Sequence, residues 1–331
     1  MGNGANTGVV PFTPIVLANV FSEEMREMSQ PRQSIQLSIP TINDDPPDFD
    51  KLFELWGLVK GCSSNVTVDF SGCDFLRPNA VAFLGGLARL VEHRNHRVEF
   101  DWDTANDKIL AILRQNGFAG VFGYTRTLGG PGSSIPYRED RTYVTNVESN
   151  IINYLKFKWL GSGWVRVSSR LRDAIVGRVW EIYDNAFLHS KSSIGVFSCG
   201  QFFWRMGLLK LSVVDFGVGI PANLRRHLKA HPFVEHLTAA QCLRWAFQQG
   251  SSTKHDTTRR GNGLVLLKEF INVNHGKLEI YSQNGYALIE GGKEKFNNRR
   301  KFFQGTLVNI TLRCDERYYQ LADESLAGPL F

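Results

Sequence analysis

The chain reads as an α+β protein in two parts, a smaller α/β domain followed by a larger one, and three observations predict this. Before residue 128, short β-branched and aromatic runs alternate with helical periodicity, the mark of an α/β layer. After residue 151, one long amphipathic helix precedes a succession of strands. Between them, Gly129-Gly-Pro-Gly-Ser-Ser134 and the polar stretch to Asn150 carry glycine and proline where apolar periodicity stops, as a linker does. A chain of 331 residues is long enough for two cores. The expected organisation is a segment over 1–33, a domain over 34–128, a linker over 129–150, a second domain over 151–318 and a tail over 319–331.

In the first part, Asn65 to Phe70 predicts a buried strand. Asn79 to Arg94 predicts a helix with Val81, Leu84, Leu87, Ala88 and Val91 inward, and Val98 to Trp102 a second strand. Asp107 to Gln115 predicts a short helix closed by Asn116-Gly117-Phe118. In the segment before Ser34, Val9 to Phe21 is apolar but contains two prolines and is too short to span a bilayer.

In the second part, Leu171, Ile175, Val179, Ile182 and Ala186 recur at helical steps, predicting an amphipathic helix from about Val167 to Ser190. Glu181 and Asn185 project from one strip of it. An amide oxygen can take a magnesium coordination position and a carboxylate can accept a proton from water or a hydroxyl. Alone, such a pair is ordinary on a solvated helix face. Two strands follow, Ser193 to Trp204 and Leu208 to Val214, broken at Arg205-Met206-Gly207 and ending at Asp215. The Asp215 carboxylate can accept a hydrogen bond from an exocyclic amine, while Gly217 and Gly219 free the backbone to turn; a plain strand-to-loop turn has the same composition.

Next come Gly250-Ser-Ser-Thr253-Lys254, a polar stretch to Arg259-Arg260, and Gly261-Asn262-Gly263 opening the apolar run Leu264 to Val273. Glycines at a helix start expose unpaired amides to phosphate, and Lys254, Arg259 and Arg260 add charge, although a lone Gly-x-Gly is more often a turn. Lys277 to Ser282 and Thr306 to Leu312 predict strands, with Lys293 to Lys301 as a hairpin loop before the last.

In this order the motifs resemble the GHKL ATPase superfamily of gyrases, heat-shock chaperones, histidine kinases and mismatch-repair proteins, from about Ile151 to Arg313. Glu181 to Asn185 is similar to its N box, Asp215 to Gly219 to its first glycine box, Gly250 to Lys254 to its lid motif, Gly261 to Gly263 to its second glycine box, and Gly305-Thr306 to its final turn. The resemblance implies a Bergerat-type α/β sandwich binding ATP and Mg2+. Asn185 would hold the metal, Asp215 would read the adenine amine, and Gly217 and Gly219 would shape the base pocket. Lys254, Arg260, Gly261, Asn262, Gly263 and Leu264 would surround the phosphates beneath a lid from about Pro221 to Arg260. Thr306 would sit near the adenine and Glu181 would be the general base. Val265 stands where many members carry another glycine.

The first part, from about Ser34 to Tyr124, resembles the STAS fold of anti-sigma factor antagonists. Their phosphorylatable serine has no equivalent here, because the corresponding run is Arg77-Pro78-Asn79-Ala80. No residue before Ile151 offers the acceptor histidine on a dimerising helix that a two-component kinase needs.

Five scattered cysteines without metal spacing point to reduced cytosolic thiols, and no export signal is legible. The net charge of +6 has acids interspersed, which favours mixed surface charge over a nucleic-acid surface. The expectation is a cytoplasmic ATPase that switches conformation and signals to a partner protein, with homodimerisation open and no membrane association. The alternatives are an anti-sigma-type serine or threonine protein kinase and a non-hydrolysing ATP-gated interaction module.

Overall fold

The structure, a computed structural model, describes Met1 and residues 34–124, 132–229, 231–248 and 263–325. Its N-terminal layer is a three-stranded sheet of order β1-β2-β3, made by Ser34–Ser38, Asn65–Asp69 and Val98–Asp101, with β2 and β3 parallel. The crossovers are helices α1, Pro46–Val59, and α2, Pro78–Glu92. Each begins on a proline, whose missing N–H costs nothing in a first turn. Two short helices follow, α3 over Asp107–Gln115 and α4 over Phe118–Val121. The Asn106 side chain caps α3 by accepting from the amides of Lys108 and Ile109, both at 3.0 Å. The strands and helices expected between residues 65 and 118 are thus present, and α1 is an addition.

Tandem glycines in the middle of α2 cost about 1 kcal/mol each in helix propensity. Their use is close approach. A Cβ on Gly85 would lie 1.9 Å from the Tyr137 hydroxyl, and one on Gly86 2.0 Å from the Phe216 ring. Both rings belong to the second half of the chain, so α2 lies directly on it.

That half is built on a five-stranded antiparallel sheet of order β4-β6-β7-β9-β8. Its strands are β4, Ser134–Asp140; β6, Val196–Phe203; β7, Leu208–Asp215; β8, Lys277–Glu290; and β9, Lys293–Arg313. Val147–Asn153 forms α5, and the two-residue strands β5, Arg166–Val167, and β10, Tyr318–Tyr319, pair in parallel. On one sheet face Leu209, Leu211, Val213, Val308 and Ile310 share a core with Ile175 and Val179 of α6, Ser169–His189, and with Leu267 and Ile271 of α9, Gly263–Val273. On the other face α1 and α2 cover the sheet: Phe49 stacks on Tyr281 at 4.3 Å and Phe53 on Phe303 at 5.2 Å. Ile35–Phe331 therefore forms one compact unit, with a core continuous between its halves.

The stretch read as a linker over 129–150 carries β4 and α5. Proline obscures the strand signal, and Pro136 is accommodated because β4 is an edge strand whose register shifts between Ile135 and Arg138. The tract Lys293 to Lys301, expected as a loop, is instead a strand arm of the β8–β9 hairpin, turning on Gly291 and Gly292 at φ 58° and 74°. Two of its cations are paired with α1: Arg299 meets Asp50, and Lys301 meets Glu54, each at 2.7 Å. Among the described residues no helix is long and apolar enough to cross a membrane.

Candidate functional site

The expected site residues on β7 and β9 meet where β7 ends beside the interior of β9. Asp215 closes β7 and its register partner is Thr306 on β9. Strand alternation places Asp215 with Leu211 and Val213, on the face covered by α6 and α9. The carboxylate is buried, 5% exposed, and Oδ1 accepts the Gly217 amide at 2.8 Å. Burial pushes its pKa from 3.8 up to about 7, opposed by the Gly217 amide and by the hydroxyls of Thr306 and Ser190. A carboxylate so placed is held at the edge of ionisation and has acceptor capacity left for a further donor.

The turn after Asp215 is clamped on both sides. A Cβ on Gly217 would fall 2.0 Å from the carbonyl oxygen of Ser190, the residue that ends α6, and that oxygen accepts the Val218 amide at 2.6 Å. The helix carrying Glu181 and Asn185 thus terminates against the Asp215–Gly219 turn. Gly219 has φ +81°, and a Cβ there would lie 2.7 Å from Ser282 Oγ and 2.9 Å from the Gly305 oxygen. Glycine is required at both places for lack of room, and at Gly219 also for conformation.

Ser282 and Ser190 are the residues that motif reading missed. Ser282, fully buried on β8, accepts from the Ile220 amide at 2.9 Å and donates to the Gly305 oxygen at 2.8 Å, with Thr306 Oγ1 at 3.2 Å. It joins the glycine turn to Gly305-Thr306, expected as a turn but lying inside strand β9. The register pair Ser282↔Thr306 makes this possible, and no local pattern announces it.

On α6, Glu181 is half-buried and paired with Arg178, Nη1 to Oε1 at 2.6 Å, and Asn185 is exposed. Leu171, Ile175, Val179 and Ala186 are buried as expected, joined by Trp180 and Tyr183, while Ile182 is partly exposed. Gly263 and Leu264 open α9, which packs against α6. Lys254, Arg260, Gly261 and Asn262 lie outside the described residues.

The described part of the expected lid is helical: α7 over Gly219–His227 and α8 over Ala239–Ala246. Arg225 ties it down, donating to Gln283 Oε1 at 3.2 Å and to the Leu237 oxygen at 2.8 Å. Among the described residues no cluster of His, Cys, Asp or Glu could hold a metal by itself. A cation at Asn185 would therefore share its coordination with ligand oxygens and water, the habit of magnesium beside phosphates. The residues present fit such a group: a buried acceptor, two glycines without room for a side chain, and an exposed amide on the adjoining helix. No family model matches the chain, and no curated protein matches it in sequence.

Proposed function

We propose that this protein binds Mg-ATP where the end of β7 meets Thr306 of β9 and uses the nucleotide as a slow conformational switch read by a partner protein in the cytoplasm. The observation that carries the reading is Asp215, a buried carboxylate beside Thr306, followed by two glycines whose positions admit no side chain. Asp215 accepts the exocyclic amine of adenine, and the Thr306 hydroxyl lies on the same edge of the pocket. Asn185 would hold the cation, and Gly263 and Leu264 at the start of α9 would be among the residues that surround the phosphates. Bound magnesium supplies charge neutralisation to the triphosphate. Glu181 takes a proton from the attacking water.

The Arg178–Glu181 ion pair favours one second reading, a non-hydrolysing ATP-gated module, because one carboxylate oxygen is already engaged by a guanidinium instead of facing a water. The pair is partly exposed and costs only about 0.5 kcal/mol to separate, so it leaves hydrolysis open. Titration calorimetry of ATP with magnesium, followed by phosphate release from the same sample, decides. Binding strongly weakened in Asp215→Asn, with release lost in Glu181→Ala, is the expected outcome. Binding without release supports the gated module, label transferred to a partner supports a protein kinase, and no binding refutes the reading.

A further inference from the structure

Phe216 stands between the two residues that shape the turn, Asp215 and Gly217, yet points to the opposite face of the sheet. Asp215 belongs to the α6 and α9 side, whereas Phe216 is 8% exposed and belongs to the core shared with α1 and α2. Its ring lies 5.1 Å from Phe83 of α2, 5.3 Å from Phe303 and 6.0 Å from Phe197. It also covers Gly86, where an added Cβ would meet the ring at 2.0 Å. Phe303 repeats the arrangement on the neighbouring strand. It stacks on Phe53 of α1, and its ring lies 2.7 Å from where a Cβ on Gly305 would stand. The Asp215–Gly219 turn and the Gly305 position of β9 are thus anchored, through one aromatic residue each, on the N-terminal helices.

The turn has little freedom to absorb a displacement of that anchor. Gly217 is pressed against the Ser190 carbonyl on one side, and Phe216 is pressed on α2 on the other. Close-packed interiors transmit such a push rather than dissipate it. We propose that Phe216, seated on Gly86 and Phe83, is a positioning residue for the nucleotide pocket, so that α2 of the N-terminal layer sets the pocket's affinity. This rests on the reading of the site as an ATP pocket, but the geometry it asserts is measurable without ATP.

The test is a mutant cycle with two readouts. Gly86→Ala, Phe216→Leu and the double variant are compared with Gly57→Ala, a control on exposed α1 backbone where an added Cβ meets nothing within 4 Å. The first readout is amide exchange at Gly217 and Val218, whose N–H groups bond Asp215 and Ser190. The second is Mg-ATP affinity by calorimetry well below the melting temperature. In Gly86→Ala both amides lose protection and affinity falls about tenfold, the scale on which a sub-ångström misplacement acts. In the double variant, where leucine vacates the space, the added methyl costs much less, a non-additivity expected only of coupled neighbours. Gly57→Ala moves neither readout. A Gly86→Ala protein that melts lower but keeps its amide protection and its affinity overturns the proposal, as does strict additivity. Phe83→Leu, a milder change to the same seat, replaces Gly86→Ala in both measurements if that variant does not fold. If the wild-type protein binds no ATP, the function proposed above fails, and amide exchange alone decides whether α2 positions the turn.

Discussion

Asp215 makes opposite demands on stability and on ligand binding, and the two can be measured separately. In the folded chain its pKa is about 7 against 3.8 for an ordinary aspartate, with burial as the first cause. The folded state therefore holds this proton more tightly than the unfolded state. The stability it contributes is complete below about pH 3.8 and is lost as the pH rises to about 7. At 1.36 kcal/mol per pH unit the loss is about 4 kcal/mol above pH 7. Replacing Asp215 by asparagine keeps an oxygen for the Gly217 amide and removes the ionisable group. Asp215→Asn is thus expected to raise Tm at about pH 8 by several degrees, with the gain fading toward pH 4. Binding moves the other way, because the ionised carboxylate is the stronger acceptor for an adenine amine. Wild-type affinity should fall about tenfold between about pH 8 and pH 6, following the ionised fraction of a group with pKa near 7. Calorimetric titrations across that range, with thermal melts of the nucleotide-free protein, provide both numbers. Asp215→Asn serves as the baseline that cancels the titration of the triphosphate itself. A lower Tm for Asp215→Asn at pH 8, or the same pH slope for residual binding in both proteins, would refute the reasoning.

Three other perturbations follow from the packing. Ser282→Ala leaves the Ile220 amide and the Gly305 carbonyl without their partner in a fully buried position, so urea unfolding should show a loss of about 1–3 kcal/mol, and ATP affinity should fall with it. Lys210→Met removes the cation that bonds Asp44 and leaves it Arg77 at 3.4 Å and the field of Lys277; a cost of about 3 kcal/mol is expected, with Lys210→Met/Asp44→Asn costing less than the sum of the single variants. Phe303→Ala opens a cavity among Phe53, Phe83, Trp56 and Phe216 and should cost about 3–5 kcal/mol by chemical denaturation, unfolding both halves of Ile35–Phe331 in one transition.

Much of the local structure was legible because its periodicity survives burial. The apolar steps of α2 and α6 and the β-branched runs of β2 and β7 coincide with the elements to within about two residues. The acid and glycines at 215–219 were legible as a turn with an acceptor, and the fold brings that turn to Thr306. What stayed hidden depends on partners distant in sequence. Gly85 and Gly86 pass unnoticed inside a helical pattern until Tyr137 and Phe216 arrive over them, and Ser282 is an ordinary strand serine until register sets it opposite Thr306.

The continuity of the two halves was hidden for a more specific reason. Along β7 and β9 apolar residues alternate with Lys210 and Ser212, and with Asn309 and Thr311, the pattern that ordinarily marks one wet face of an antiparallel sheet. Such a pattern favours reading the first half as a separate domain. In the fold these four residues are buried, at 8%, 4%, 7% and 6% exposure. Part of their polarity is met locally: Lys210 pairs with Asp44 from the loop before α1, and Ser212 donates to Asn309 Oδ1 at 2.7 Å, while Asn309 Nδ2 is buried without a hydrogen-bond partner among the described residues. A polar sheet face can therefore be an interior face when the covering layer brings its own charge. At the end of that face near the pocket, aromatic residues replace the polar ones, with Phe216 and Phe303 meeting Phe53 and Phe83. The N-terminal layer thus binds the sheet through ion pairs and hydrogen bonds over one stretch and through close packing beside the nucleotide turn. The second of these contacts is the stiffer one, because a packed ring tolerates less displacement than an ion pair, and it is the contact through which the first half of the chain can act on the site in the second.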